Sequence, residues 1–218
     1  MKMNLPNKLT IFRIILVVIL VIVSLINIPG EVGSMDTQSF IMLLIFIIAS
    51  ITDKLDGDLA RKNNQITDFG KFLDPIADKI LVISTLIIFV EQGKLPAWVP
   101  IIIVFREFLV SGYRLVAATK NGKVIPANMW GKVKTVSQMV SIILLFIDKY
   151  GFGICFYKIM PNLKNSCVGM ICEMTNGELA FNIVTTISVV FCVIATIVSG
   201  CIYFKGAKEL FTEEKIEK

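Results

Sequence analysis

Apolar residues in this chain run in long continuous stretches rather than alternating with polar ones. The stretches cover residues 11–28, 38–52, 75–91, 96–118, 130–147 and 179–204. Turn residues such as Pro29 and Gly30 separate them. A helix needs about 20 apolar residues to cross a bilayer, and continuous runs argue against a transmembrane β-barrel. The pattern therefore predicts an all-α integral membrane protein with six transmembrane helices.

The composition agrees with a membrane protein. The 218 residues are 55% hydrophobic and 18% charged, with a mean hydropathy of +0.76, which is more apolar than a soluble domain. The first stretch is followed by Pro29 and Gly30 rather than by a small-residue cleavage site, so it is predicted to be a retained helix and not a signal peptide. We expect a single membrane domain over residues 1–204, followed by a charged cytoplasmic tail over 205–218 that forms a short solvated helix.

The second stretch is too short to span a membrane by itself. Its apolar part, residues 40–51, is followed by no helix breaker before Gly57. The helix is therefore predicted to continue through Asp53, Asp56 and Ala60, which places carboxylates near the membrane interface. Ionisable groups at this depth are costly and usually mark a functional site.

The basic residues predict the orientation of the chain. If six helices cross the bilayer, 18 of the 22 lysines and arginines lie on the side that holds both termini. The other side holds Lys94, Lys149, Lys158 and Lys164. The positive-inside rule then places both termini and the acidic cluster on the cytoplasmic side, and the six helices are predicted to enclose a polar cavity that is open to that side. The lipid bilayer is an expected partner, and nucleic acid is not.

The sequence excludes several kinds of chemistry. It contains no histidine, so Ser-His-Asp catalysis, histidine-bound zinc and a histidine base are absent. The five cysteines show no C-x2-C metal spacing. Cys155, Cys167 and Cys172 fall in one connection, where a disulfide is an alternative to free thiols if that connection is extracytoplasmic. Catalysis is left to carboxylates, arginine, lysine and metals that prefer oxygen ligands.

Residues 53–78 contain a dense acidic motif of the form D-x2-D-G-x2-A-R-x8-G-x3-D-x3-D. On a helix, Asp53 and Asp56 share one face, and Asp74 and Asp78 share one face of the next helix. Pro75 is predicted to lie in the first turn of that second helix. Two antiparallel helices would then direct four carboxylates to one point.

Four carboxylates at one point repel each other, and divalent cations relieve that repulsion. Ligands that are all oxygen favour Mg²⁺ or Mn²⁺, and a pair of ions can hold a pyrophosphate. Gly57, Ala60 and Gly70 leave room for a ligand, while Arg61 offers two parallel donors to a phosphate. The alternative interpretation is a set of interfacial aspartates beside glycines that only allow helix packing.

The motif resembles the signature of the CDP-alcohol phosphatidyltransferases, integral membrane enzymes that move a phosphatidyl or similar group from a CDP-linked donor to an alcohol. The resemblance implies two bound divalent metals, with Asp53, Asp56 and Asp74 as ligands. It implies that Asp78 is both a ligand and the general base that deprotonates the acceptor hydroxyl. It also implies a CDP-binding set made of Asn7, Thr10, Asp56, Gly57, Ala60, Arg61 and Gly70.

Two further segments resemble the bacterial members that use glycerol-3-phosphate as the acceptor. One is P-N-x-L-T-x-x-R at residues 6–13, and the other is W-G-K-V-K-T-x-x-Q-M at residues 130–139. Glycerol-3-phosphate is a dianion near neutral pH, so its pocket needs concentrated positive charge. The candidate residues for the acceptor phosphate are Arg106, Arg114, Lys132 and Lys134. The alternative is that these charges only set the membrane topology.

The resemblance implies transfer of the phosphatidyl group from CDP-diacylglycerol to glycerol-3-phosphate, giving phosphatidylglycerophosphate and CMP in phospholipid biosynthesis. Family members are commonly homodimers, and the resemblance to bacterial members implies a location in the bacterial plasma membrane. One alternative is the same chemistry with another acceptor: phosphatidylglycerol (giving cardiolipin), serine or inositol phosphate. A second is a divalent-cation transporter that uses the four aspartates as an ion pathway. The sequence assigns no role to the connection over residues 148–178.

Overall fold

The structure, a computed structural model, describes the backbone of residues 5–33, 35–62, 68–121, 129–155 and 174–213. Within these ranges, the side chains of residues 5–7, 54–62, 68–75, 78, 114–121 and 205–213 lie outside the description. The long helices of the described chain are α1 (Leu5–Leu25), α2 (Thr37–Lys62), α3 (Asp68–Glu91), α4 (Trp98–Asn121), α5 (Met129–Ile147) and α6 (Asn176–Glu213). The predicted all-α class is confirmed.

A short hairpin joins α1 to α2. Strands β1 (Glu31–Val32) and β2 (Met35–Asp36) pair antiparallel, with Glu31 opposite Asp36 and Val32 opposite Met35. Gly33 takes a φ of +67°, a conformation that favours glycine in a tight hairpin turn.

The helix boundaries confirm one prediction and correct two others. α2 continues to Lys62, as the absence of a helix breaker after its apolar part predicted. α3 begins at Asp68, so the prediction that Pro75 lies in the first helical turn is wrong. An interior proline removes one backbone hydrogen bond, and α3 continues past it. The tail does not form a separate helix, because α6 continues to Glu213.

Three helices are long and apolar enough to cross a membrane within the described residues. The apolar segments are Lys8–Leu25 in α1, Met129–Ile147 in α5 and Asn176–Phe204 in α6. The apolar part of α2, Thr37–Asp53, is shorter, and α4 carries two charged residues within its apolar run. This helical architecture is the one expected of a membrane protein.

The chain divides into two compact units. Unit 1 contains residues 1–94 and 145–149, and unit 2 contains residues 95–144 and 150–218. The prediction of a single membrane domain over residues 1–204 stays a prediction.

In unit 1, α1 packs against α2 and α3. Aromatic rings fill part of its core: the Phe146 ring centroid lies 5.9 Å from that of Phe46 and 4.7 Å from that of Phe89. Side-chain capping ends α1, because the Gln38 amide donates to the carbonyls of Val23 and Ser24. The rings join α2 and α3 to the end of α5, and the amide joins the end of α1 to the start of α2.

The connection from α3 to α4 follows a Schellman cap. Gly93 has a φ of +70°, its N–H donates to the Val90 carbonyl, and the Lys94 N–H donates to the Phe89 carbonyl. The turn that Gly93 and Pro96 signal in the sequence is therefore present. It turns Lys94 inward, where its Nζ lies 3.4 Å from the Leu145 carbonyl oxygen.

In unit 2, α4 packs against α6. A capping box begins α6: the Thr175 N–H donates to Glu178 Oε2 at 2.8 Å, and the Glu178 N–H donates to the Thr175 hydroxyl. The buried Asn182 accepts from the Cys155 N–H and donates to the Gly151 carbonyl. These bonds attach the start of the connection after α5 to the first turns of α6.

The described cysteines are free thiols, and those in unit 2 are Cys155, Cys192 and Cys201. Cys155 is a buried free thiol. Cys167 and Cys172 lie outside the described residues, so a disulfide between them stays a prediction.

Candidate active site

The acidic motif is paired with a basic residue of α1. Arg13 Nη1 lies 2.6 Å from Asp53 Oδ1, and the arginine side chain is only 1% exposed. Thr10 stands one helical turn earlier on α1 and is also buried. A buried guanidinium needs an anionic partner, and Asp53 provides it at the end of the apolar part of α2. The pair therefore fixes α1 against the motif.

The other motif aspartates lie on helical backbone, and the convergence of the four carboxylates on one point stays a prediction. The backbone of α2 carries Asp53 and Asp56 on one face, and the backbone of α3 carries Asp74 and Asp78 on one face. The described side chains contain no group of three or more possible metal ligands, and three of the four aspartate side chains lie outside the description. The donor set consists of carboxylate oxygens alone, which fits Mg²⁺ or Mn²⁺.

The side chains of most predicted CDP-binding residues lie outside the description. Within this set, only the side chain of Thr10 is described. No side chain is described for Asn7, Asp56, Ala60 and Arg61. For Gly57 and Gly70 only the helical backbone is described. Their assignments stay predictions.

A second charged cluster lies in unit 2, where one carboxylate oxygen contacts two cations. Glu107 Oε1 accepts from Arg106 Nη1 at 3.1 Å and from Lys134 Nζ. The side chains of Arg106 and Lys134 are 11% and 5% exposed. The cluster therefore joins α4 to α5 through buried charges, and two of the four predicted acceptor-phosphate residues meet in it.

Arg106 is enclosed by residues of α5 and α6. Its Nη2 donates to the Ser199 hydroxyl, and its guanidinium carbon lies 5.7 Å from the centroid of the Tyr203 ring. A side chain at Gly131 or Gly200 would enter this space: an added Cβ would lie 3.7 Å from Arg106 Nη2 and 3.5 Å from Arg106 Cγ, respectively. The arginine is thus held in one orientation.

The other two predicted acceptor residues differ from this pair. Lys132 is exposed, and it stands about 200° around α5 from Lys134 because the two are separated by two residues. The Arg114 side chain lies outside the description. The roles of Lys132 and Arg114 in acceptor binding stay predictions.

Sequence reasoning did not assign roles to Glu107, Ser199 or Tyr203. Glu107 carried a signal, since an acidic residue next to Arg106 interrupts an apolar run. Ser199 and Tyr203 are separated by four residues and therefore share a face of α6, but many polar residues of α6 have the same spacing. Only the packing of α4 against α6 brings this pair to Arg106.

Lys94 is a third buried charge, at the end of α3 opposite to Asp74 and Asp78. Burial lowers the pKa of its ammonium below the ordinary value, and the carboxylates of Asp36 and Asp148 raise it in part. Asp148 is buried as well. Lys94 therefore belongs to the polar end of unit 1 that contains the hairpin, far along α3 from the acidic motif.

The model of the CDP-alcohol phosphatidyltransferase family matches residues 3–198. The chain belongs to this family, and the resemblance of its acidic motif is confirmed. Its members are transferases, and the apolar helices of this chain agree with the membrane location of such enzymes.

Three curated relatives bear the name CDP-diacylglycerol–glycerol-3-phosphate 3-phosphatidyltransferase. The protein of Bacillus subtilis is 47% identical over 154 residues, which cover 68% of this chain and 79% of the relative. The protein of Rickettsia felis is 34% identical over 210 residues, covering 95% and 97%. The protein of Haemophilus influenzae is 42% identical over 146 residues, covering 65% and 75%.

Proposed function

We propose that the protein transfers the phosphatidyl group from CDP-diacylglycerol to glycerol-3-phosphate, giving phosphatidylglycerophosphate and CMP for phospholipid biosynthesis. The names of the relatives in B. subtilis and R. felis support this reaction. The buried cluster of unit 2 carries the choice of acceptor. Arg106 and Lys134 already bind one carboxylate oxygen between them, and a phosphate oxygen can make the same charge-assisted contacts.

The reaction needs a proton acceptor and a stabilised leaving group. The acceptor hydroxyl attacks the β-phosphorus, a new P–O bond forms, and the bond from the β-phosphorus to the bridging oxygen of CMP breaks. Asp78 takes the hydroxyl proton in this scheme. The basic cluster holds the acceptor phosphate and thereby orients the hydroxyl, which lowers the entropic part of the barrier.

Metal dependence is part of the proposal. Asp53, Asp56, Asp74 and Asp78 would hold two Mg²⁺ or Mn²⁺ ions, which supply electrostatic stabilisation to the pyrophosphate and to departing CMP. Arg13 keeps the Asp53 side chain in place at the end of the α2 apolar segment. Thr10, Gly57, Arg61 and the other residues of the CDP-binding set would surround the cytidine diphosphate.

The finer topology is also proposed. All six helices cross the bacterial plasma membrane, both termini are cytoplasmic, and the polar site opens to the cytoplasm. The distribution of basic residues supports this orientation, and family membership supports a homodimer in the bilayer. A protease-sensitive tag at the C-terminus tests it: the tag should stay intact when protease is added to spheroplasts, and its cleavage there would contradict the orientation.

Release of CMP from CDP-diacylglycerol by the full-length protein in detergent micelles tests the reaction. Glycerol-3-phosphate should support release, whereas serine, inositol phosphate and phosphatidylglycerol should give only the background rate. Faster release with one of the other acceptors would reassign the acceptor within the family. A protein that releases no CMP with any acceptor but carries Mn²⁺ into sealed vesicles would favour the transporter.

A further inference from the structure

Glu107 lies where the proposed function requires an anion from the substrate. Its Oε1 contacts Arg106 on its own helix and Lys134 on α5. This oxygen is therefore a bridging acceptor between a guanidinium and an ammonium group. A phosphate oxygen bound by the same two residues would have the same neighbours.

Two of the three guanidinium nitrogens of Arg106 already donate hydrogen bonds to protein side chains. Nη1 donates to Glu107 and Nη2 donates to Ser199. The third nitrogen, Nε, is buried, and its N–H has no hydrogen-bond partner among the described residues. A buried donor without a partner is costly, and an incoming phosphate brings several acceptor oxygens that can satisfy it. The guanidinium thus keeps an unsatisfied, buried Nε–H beside two nitrogens that already donate to protein side chains.

The charge of the cluster favours exchange of one anion for another. Arg106 and Lys134 contribute two positive charges, and Glu107 contributes one negative charge. A phosphate dianion added without movement of Glu107 would meet a carboxylate at a few Å, and like charges repel strongly in a partly buried site. The enclosing residues Ser199 and Tyr203 hold Arg106 in position, so the carboxylate is the group that must move.

We infer that Glu107 is an internal anion that occupies the acceptor-phosphate position in the ligand-free protein, and that the acceptor phosphate binds by displacing it. This inference rests on the proposed function, since it concerns the same acceptor site. Glu107 acts through Arg106 and Lys134 and determines specificity. An uncharged alcohol cannot replace the carboxylate between two cations, so it leaves the cluster closed, whereas a phosphate opens it.

Removal of the carboxylate charge has two expected effects with opposite consequences. Glu107→Gln leaves Arg106 and Lys134 without their anion, so the ligand-free protein becomes less stable. The same change removes the competitor of the phosphate, so inorganic phosphate binds more tightly, by about tenfold. A purely structural role would lower stability without tightening phosphate binding.

The experiment uses the full-length protein in detergent micelles and inorganic phosphate as the probe. Thermal unfolding is followed during a phosphate titration, with sodium chloride at matched ionic strength as the reference. Glu107→Gln should unfold at a lower temperature than the wild type without phosphate and should reach half of its stabilisation at about one tenth of the phosphate concentration. Glu91→Gln, which neutralises an exposed glutamate at the end of α3, should match the wild type in both respects.

Kinetics provides an independent measurement. In Glu107→Gln the KM for glycerol-3-phosphate should fall, and the KM for CDP-diacylglycerol should stay unchanged. The kcat should fall as well, because the phosphate of the product would be held by the same cations. Glu107→Asp keeps the charge on a shorter side chain that cannot hold both cations, so it should tighten phosphate binding by a smaller factor; it replaces Glu107→Gln if that variant does not fold.

Phosphate affinity that is equal or weaker in Glu107→Gln and Glu107→Asp would overturn the displacement, because Glu107 would then stay in place beside the phosphate. A wild-type protein that phosphate does not stabilise would overturn it as well. Neither result decides the proposed reaction, which the release of CMP tests separately.

Discussion

Two ion pairs among the described residues, each built on a buried cation, use the same chemistry and differ in their charged neighbours. In unit 1, Arg13 meets one carboxylate, Asp53, which is 38% exposed and begins a row of four motif aspartates. In unit 2, Glu107 is shared by two cations and is 19% exposed. In the first region the motif adds three further aspartates along the chain, and in the second the two described cations outnumber the single carboxylate.

Under the proposed function, each region would take its own kind of ligand. An excess of carboxylates is relieved by divalent cations, and an excess of buried cations is relieved by a phosphate. The reaction proposed for this protein needs both, because a metal-bound pyrophosphate and a phosphorylated acceptor must react with each other. The ion pair inside each region makes the excess charge tolerable before the ligands bind.

The largest effect is expected from the acidic region. Asp56→Asn or Asp74→Asn should lower CMP release by about 100-fold or more, because each removes an anionic ligand from the proposed metal pair. Excess chelator should abolish release in the wild type. Asp58→Asn is the matched control, since it changes an aspartate of the same helix that is outside the motif. Full turnover with chelator present would disprove the two-metal proposal.

The basic region can be tested with two lysines of the same helix. Lys134→Gln should raise the KM for glycerol-3-phosphate by about 10- to 150-fold, since a charge-assisted hydrogen bond contributes about 1.5–3 kcal/mol. The KM for CDP-diacylglycerol should change little. Lys132→Gln, at an exposed position two residues away, should have a much smaller effect. Equal effects of the two changes would mean that the buried cluster is not the acceptor site.

A smaller effect is expected for the pairing of Arg13 with Asp53. A double-mutant cycle with Arg13→Gln and Asp53→Asn should give a coupling free energy of about 1 kcal/mol, because Asp53 is partly exposed to solvent. The free energy of unfolding in detergent is the quantity to measure. Additive effects of the two changes would show that the contact does not stabilise the protein.

The smallest effect concerns Lys94, which belongs to neither charged region. Burial lowers the pKa of Lys94 in the folded protein, whereas the unfolded chain keeps the ordinary value of 10.5. Between these two pKa values the unfolded state binds more protons, so the free energy of unfolding rises with pH. The stability of the wild type relative to Lys94→Met should therefore increase as pH is raised towards 10.5. Thermal unfolding of both proteins at several pH values measures it, and a constant difference would contradict the assignment.

Local sequence signals predicted a helix boundary well where that boundary depended only on the sequence of the helix itself. Continuous apolar runs gave α5 within one residue, and the absence of a helix breaker correctly extended α2 beyond Asp53. Pro75 was misplaced, because proline is tolerated inside a helix that packing supports as well as in a first turn. The same apolar runs gave six predicted spans, and three helices of the described chain meet the length and hydropathy of a span by themselves.

The family could be predicted because the acidic motif is defined by residue types at fixed intervals in the sequence. Asp53, Asp56, Asp74 and Asp78 stand on two consecutive helices, and helical periodicity alone places each pair on one face. Arg106 could likewise be predicted as a candidate site residue, because a charged residue inside an apolar run can be recognised from the sequence alone. These features need no knowledge of which helices are neighbours.

The tertiary structure alone decided which charges meet. Lys132 and Lys134 are equivalent in composition and nearly so in position, yet only Lys134 is buried against Glu107. Arg106 meets Ser199 and Tyr203 across 93 and 97 positions of the chain, and Arg13 meets Asp53 across 40. Such contacts depend on the rotation of one helix against another, which is set by the packing of side chains over their whole length, and no local pattern in the sequence contains that rotation.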